Sequence, residues 1–205
     1  MPIQYFFPTC IYRSALLKRG TQACTEELNA ACQQVRQGDE AGQLWCTEHY
    51  AGGYTSYGTL RNLHRTSLPF KQLETNVWPH VQRFADRLDM DLSEANLAMI
   101  DCWVNIMGEG AAHPWHAHPS AVLSGTFYVA TPHGSSPLQF QDPRLTHFDG
   151  TPPQRVVCRP PNRRQVSYEA RAGDLILFES WLRHQVPAQA SDEVRVSISF
   201  NYAWV

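Results

Sequence analysis

The chain has 205 residues, 43% of them hydrophobic and 18% charged. That composition supports one domain with a sizeable core and excludes an intrinsically disordered chain. The formal net charge of -2 gives no global attraction to nucleic acid or to an anionic membrane, and no run approaches the roughly 20 apolar residues of a spanning helix.

The opening Met-Pro-Ile-Gln-Tyr-Phe-Phe-Pro has neither the basic nor the sustained apolar region of an export signal, so a cytoplasmic location is expected. Six cysteines (Cys10, Cys24, Cys32, Cys46, Cys102 and Cys158) contain no Cys-x-x-Cys pair and are expected as free thiols.

Residues 24–37 are predicted helical. Thr25 is placed to cap, Glu26 and Glu27 suit a first turn, and Leu28, Ala31, Cys32 and Val35 recur at helical spacing. Residues 70–88 repeat the pattern through Phe70, Leu73, Val77, Val81, Phe84 and Leu88. Pro79 interrupts them, so a kinked helix or two pieces is expected. From about residue 97 the pattern turns strand-like, with runs at 97–107, 122–130, 137–140, 166–169, 174–178 and 193–203 separated by Gly, Pro, Asn and Asp turns. Helices first and strands afterwards predict an α+β domain, with helices on one face of a β-sandwich or jelly roll. The expected division is a single domain over 1–205, of which 1–96 is a mainly helical support region and 97–205 the β core.

Alternation shows which strand faces could carry chemistry. In 193–203, Val194, Val196, Ile198 and Phe200 share one face, and Arg195, Ser197, Ser199 and Asn201 the other. In 122–130, Ser124, Thr126 and Tyr128 oppose Gly125, Phe127 and Val129. An apolar face packed on helices and a polar face turned into a barrel would produce this pattern. So would a half-exposed strand with its polar side in solvent. Arg155, Arg159, Arg163 and Arg164 lie close together between strands and read as a solvated loop.

Ala112-His113-Pro114-Trp115-His116-Ala117-His118-Pro119-Ser120 holds three of the nine histidines. On a strand, His116 and His118 at i and i+2 point to one side. Two neutral nitrogen donors there can hold one divalent metal if a third ligand arrives from elsewhere. His184, after the apolar run 174–178 and a short turn, is the natural third. A His-x-His pair alone is often an idle surface cluster; the element that follows adds weight. Arg195-Val196-Ser197 lies eleven residues beyond His184. An inward guanidinium requires a carboxylate, and none is sequence-local on that face. A dicarboxylate cosubstrate would supply one, through a bidentate fork and the Ser197 hydroxyl. The alternative is a salt bridge to Glu179 or Asp192.

These residues resemble the Fe(II)/2-oxoglutarate-dependent dioxygenase superfamily. The resemblance rests on His116-Ala117-His118, the distal His184 reached through Ala172-Gly173-Asp174-Leu175-Ile176-Leu177-Phe178, the Arg195-Val196-Ser197 element, and Asn105-Ile106-Met107 followed by Gly110. Gly53-Tyr54-Thr55-Ser56 and Leu123-Ser124-Gly125-Thr126-Phe127-Tyr128 extend it to a group of small bacterial and phage oxygenases with a His-x-His-Pro core, over nearly the whole chain. It implies a double-stranded β-helix (jelly roll, cupin-like) and a hydroxylase using Fe(II), 2-oxoglutarate and O2. It implies His116, His118 and His184 as catalytic metal ligands. Arg195 and Ser197 would hold the far carboxylate of the cosubstrate, assisted by Tyr128 and Asn105. Substrate selection would fall to Tyr54, Ser56, Tyr57, Trp103, His113 and Trp115, although Tyr57 and Trp103 suit a core equally.

One position departs from the pattern: His118 stands where the superfamily has a carboxylate. Two other assignments stay open, His113 in place of His118, or His118 not ligating at all. The implied reaction is hydroxylation of an unactivated C–H on a small molecule or amino-acid side chain, with neither nucleic acid nor a membrane as partner and a homodimer left open. Its rivals are a cosubstrate-independent three-His cupin-type oxygenase and a non-catalytic jelly-roll module with a structural metal.

Overall fold

The structure is a computed structural model that describes residues 3–4, 6–93, 95–147, 150 and 152–205. Met1, Pro2 and Tyr5 of the opening stretch lie outside the described residues. Among the described residues, ten strands form two antiparallel sheets. In chain order they are β1 (Ile11–Ala15), β2 (Gly53–Thr55), β3 (Leu97–Met107), β4 (His113–His116), β5 (Leu123–Ala130), β6 (Leu138–Gln141), β7 (Gln165–Tyr168), β8 (Asp174–Glu179), β9 (His184–Val186) and β10 (Arg195–Trp204). The six-stranded sheet runs β1-β8-β5-β10-β3-β2 and the four-stranded sheet β4-β9-β6-β7. Together they make the double-stranded β-helix, and helices cover the outer face of the larger sheet.

The helices are α1 (Thr21–Gly38), α2 (Glu40–His49), α3 (Leu63–Thr66) and α4 (Leu68–Arg87). The first packs on β5, the second on β2 and the third on β3, while α4 packs on α1 and α3. Helix α1 begins four residues before Thr25, on Gly20 in the left-handed conformation (φ 75). Thr25 is therefore not a cap; its hydroxyl donates to the Gln22 carbonyl inside the helix. Helix α4 runs unbroken through Pro79. An interior proline costs about 3 kcal/mol. Full burial of Phe70, Leu73, Val77, Val81 and Phe84 contributes about 1.5–3 kcal/mol each, which decides in favour of one helix. Strands β1 and β2 and helices α2 and α3 were not legible as elements, and β1 and β2 carry the N-terminal region into the larger sheet.

The two faces of the larger sheet differ as the alternation predicts. Val196, Ile198 and Phe200 are buried under the helices. Val194 is not: it precedes β10 and stays 42% exposed. Gly125 is required on the same face, since a Cβ there would overlap the Phe200 ring and the Leu177 side chain. On the inner face the polar residues stand in register. Arg195 pairs with Met107, Ser197 with Asn105, Ser199 with Trp103 and Asn201 with Asp101. Across β5, Ser197 meets Tyr128, Ser199 meets Thr126 and Asn201 meets Ser124. This polar inner face is buried rather than solvated, and it forms the floor of the site.

Candidate active site

Two ends of one cavity hold the chemistry. At one end His116, on β4, is directly opposite His184, on β9. His118 lies just past the end of β4, not on it, so it does not arrive by strand alternation. Its main-chain N–H donates to the Ser180 carbonyl at 2.9 Å, and its carbonyl accepts from Ala121 N–H at 3.1 Å. This strap folds the third ring back onto the other two. Ring centroids are 4.2 Å apart for His116–His184 and 5.1 Å for each of the other pairs. One nitrogen from each ring lies within 4.8 Å of the others. Among the described residues this is the only such group of three metal-ligating side chains.

The protonation of two rings follows from their partners. His116 Nδ1 is 2.7 Å from the Pro114 carbonyl and His184 Nδ1 is 2.9 Å from the Leu182 carbonyl. A carbonyl only accepts, so Nδ1 carries the proton and Nε2 is left with a lone pair, as a metal ligand requires. Burial, with neighbouring rings adding to it, holds His184 down to about 3 and His118 down to about 4. Both are neutral donors at physiological pH.

At the other end Arg195 is 2% exposed. Its Nη1 donates to Ser197 Oγ and Met107 Sδ, each at 3.2 Å. Its guanidinium lies 5.0 Å from the Tyr128 ring centroid. Neither Glu179 nor Asp192 pairs with it, and no carboxylate lies within salt-bridge distance among the described residues. Arg195 Nε and the Tyr128 hydroxyl are both buried without a partner. A charged group in that state is strongly unfavourable unless a ligand completes it. Arg195, Ser197 and the three histidines line one cavity of about 70 Å³.

The remaining expected site residues divide. Trp103 lines the cavity, T-shaped against His118 (5.8 Å between centroids) and Tyr57 (4.9 Å); Tyr57 is 43% exposed. Asn105 also lines it, but both ends of its amide are engaged, by Thr55 Oγ1 at 2.9 Å and Ser199 Oγ at 3.1 Å. Tyr54 and Ser56 are core groups instead. The Tyr54 hydroxyl donates to Asp39 at 2.8 Å, and Ser56 Oγ bridges the Leu60 carbonyl and Val104 N–H. Trp115 is half-buried outside the cavity. His113 lines the cavity and bonds Tyr50 at 2.9 Å, so it does not replace His118 in the metal group. Arg155, Arg159 and Arg163 are exposed, as a solvated loop requires. Sequence reasoning missed Tyr50, which lies 63 positions from its partner. It also missed Ser180, whose hydroxyl meets Ser124 at 2.7 Å while Ser124 bonds Asn201 at 2.8 Å behind the His118 strap.

Residues 101–201 match the family model described as "Putative 2OG-Fe(II) oxygenase". That match places residues 101–201 among the 2-oxoglutarate/Fe(II) oxygenases. Among solved structures the oxygenase is similar to the α-ketoglutarate-dependent epimerase SnoN from nogalamycin biosynthesis (TM-score 0.64, 16% identity, covering 95% of this chain and 76% of that one). It is also similar to a Pseudomonas putida prolyl-4-hydroxylase (TM-score 0.61, 17% identity, 95% and 92%). HygX from Streptomyces hygroscopicus with nickel and 2-oxoglutarate bound is a third (TM-score 0.61, 12% identity, 95% and 83%). At these identities the likeness establishes the fold. No curated protein matches by sequence. The oxygenases of this family use iron, 2-oxoglutarate and O2. The donor set fits them: three converging neutral nitrogens suit a divalent iron, and the unpartnered Arg195 Nε and Tyr128 hydroxyl suit a carboxylate.

Proposed function

We propose that His116, His118 and His184 hold the iron, that Arg195, Ser197 and Tyr128 receive the far carboxylate of 2-oxoglutarate, and that the enzyme hydroxylates an unactivated C–H. The observation that carries this reading is a buried guanidinium without a protein counter-ion in the same cavity as three converging imidazoles. A three-His oxygenase without cosubstrate, or a metal-binding module without activity, leaves that arginine unexplained.

Bound iron and cosubstrate supply the oxidising power. The balance is C–H plus 2-oxoglutarate plus O2 giving C–OH, succinate and carbon dioxide. The chain contributes position. The Pro114 and Leu182 carbonyls fix two imidazoles in the ligating tautomer, and the strap to Ser180 aims the third. Arg195 sets the direction from which the cosubstrate reaches them. Asn105 lines the cavity, orients Ser199 and Thr55, and keeps a second amide N–H with which to assist the cosubstrate.

The substrate class is an amino-acid side chain or a small molecule. SnoN and HygX have been captured with the small molecules nogalamycin RO and hygromycin B, which supports that class. Trp103, its ring centroid 5.8 Å from that of His118, offers the substrate an aromatic surface in the same cavity. The whole of 1–205 acts as one domain, since β1, β2 and the helices share the core of the jelly roll. All six cysteines are free, in keeping with a cytoplasmic enzyme. Incubation of the iron-loaded enzyme with 2-oxoglutarate, labelled dioxygen and a panel of amino acids, peptides and small metabolites tests the reading. A product carrying one labelled oxygen atom is expected; labelled product formed without 2-oxoglutarate would refute it.

A further inference from the structure

Besides the three converging histidines, a fourth lines the cavity. His113 lines it but stands outside the metal group, its ring centroid 6.4 Å from that of His116. Its strand position explains why: His116 is opposite His184, whereas His113 is opposite Val186, away from the metal.

The sheet shows which end of the cavity it serves. Gly53 pairs with Met107, and Met107 pairs with Arg195, so these three stand abreast on β2, β3 and β10. The Tyr50 ring lies on Gly53, where a Cβ would collide with it. The preceding Gly52 takes φ 73, and its carbonyl accepts from Gly108 N–H at 2.8 Å, which pins the turn. Tyr50 Oη is 2.9 Å from His113 Nε2, and the two rings lie 4.9 Å apart. A tyrosine from the end of α2 thus props a histidine at the Arg195 end of the cavity.

The protons can be placed. Tyr50 Oη has no other partner among the described residues, so its only acceptor is His113 Nε2. Burial raises the Tyr50 phenol well above its ordinary range, and it stays protonated. Burial foremost, then His116 and Arg195, holds His113 down to about 3, so its ring is neutral. The remaining ring proton is therefore on Nδ1, which makes no hydrogen bond among the described residues.

We propose that His113, oriented by Tyr50, is a second anchor for the far carboxylate of the cosubstrate beside Arg195. This rests on the cosubstrate reading above and extends it. A carboxylate offers about four lone-pair sites. Arg195 Nε and the Tyr128 hydroxyl are buried without partners. Ser197 Oγ accepts from Arg195 and has its own proton to donate. Those are three donors, and His113 Nδ1–H is the fourth. The pair selects for a dicarboxylic 2-oxo acid over one that lacks the far carboxylate.

The test titrates anaerobic Fe(II)-loaded enzyme with 2-oxoglutarate and, separately, with 2-oxobutyrate, which lacks the far carboxylate, following the metal-to-ligand charge-transfer band. His113→Phe and Tyr50→Phe are each expected to weaken 2-oxoglutarate binding roughly 10- to 100-fold. Their iron content and 2-oxobutyrate affinity are expected to match the wild type. His113→Asn, whose amide can present an N–H near the Nδ1 position, is expected to recover most of the loss. Unchanged 2-oxoglutarate affinity overturns the inference. An equal loss for both acids overturns it as well, since it would show only a wall of the cavity. If His113→Phe does not fold, Tyr50→Phe, which removes a single oxygen atom, decides. Arg195→Met in the same series separates the two levels: a loss there with none at His113 or Tyr50 removes only this inference, whereas no loss at any of the three removes the far-carboxylate site itself.

Discussion

Arg195→Met is expected to move two properties in opposite directions. The wild-type guanidinium is 2% exposed, donates only to Ser197 Oγ and Met107 Sδ, and has no carboxylate partner among the described residues. Its contact with the Tyr128 ring at 5.0 Å returns about 1–2 kcal/mol, less than the several kcal/mol that burying an ion costs. An unbranched apolar side chain of similar length removes that penalty, so metal-free protein should gain about 1–3 kcal/mol. At about 2–4 °C per kcal/mol for a chain of this size, the melting temperature rises by roughly 2–12 °C. Cosubstrate binding goes the other way. Losing one charge-assisted hydrogen bond costs about 1.5–3 kcal/mol, a loss of roughly 10- to 200-fold in 2-oxoglutarate affinity. Thermal unfolding of metal-free protein and anaerobic titration of iron-loaded protein measure the two. A variant with a lower melting temperature and unchanged 2-oxoglutarate affinity would show that Arg195 is a structural group with a protein partner.

Three further outcomes follow from the metal end. His184→Ala should abolish stoichiometric iron binding measured by metal analysis, because its Nε2 is one of three converging donors; iron retained at one per chain would remove it from the ligand set. His118→Asp should keep the iron, since it restores the commoner two-His, one-carboxylate set at that position; if His118→Ala also keeps wild-type iron affinity and turnover, His118 is not a ligand. Metal-free protein should lose stability in acid. His113 and His184 are held down to about 3 and His118 to about 4, against about 6.5 in an unfolded chain. Between those limits the unfolded state binds more protons, so stability falls as pH drops from about 6.5 toward about 3–4 and levels off below. Melting temperatures that stay flat from pH 7 to about 4 would contradict the burial of these rings.

Period-2 alternation made the site's floor legible. Arg195, Ser197, Ser199 and Asn201 share the inner face of β10, and the same arithmetic located Ser124, Thr126 and Tyr128. The histidines were legible as a set, but for a reason that was half right. His116 and His184 meet across paired strands, whereas His118 arrives through a strap held by a main-chain bond to Ser180, and main-chain bonds carry no residue signature. Tyr54 and Ser56 show the opposite failure. A hydroxyl looks the same in sequence whether it awaits a ligand or is satisfied by Asp39 and the Leu60 carbonyl. Tyr50 was invisible because its partner is distant in the chain and its ring fits only where Gly53 leaves room for it. Strand β1 was hidden because its burial is intermediate along most of its length, which blurs alternation, and helix α2 because Gly42 weakens its helical pattern.

The most direct measurement is succinate formation by iron-loaded enzyme given 2-oxoglutarate and O2 with ascorbate, beside a metal-free control and His184→Ala. Iron-dependent conversion of 2-oxoglutarate to succinate is expected, absent from both the metal-free control and the variant. Oxygen consumption that proceeds without 2-oxoglutarate, or succinate yields that are the same in all three samples, would contradict it.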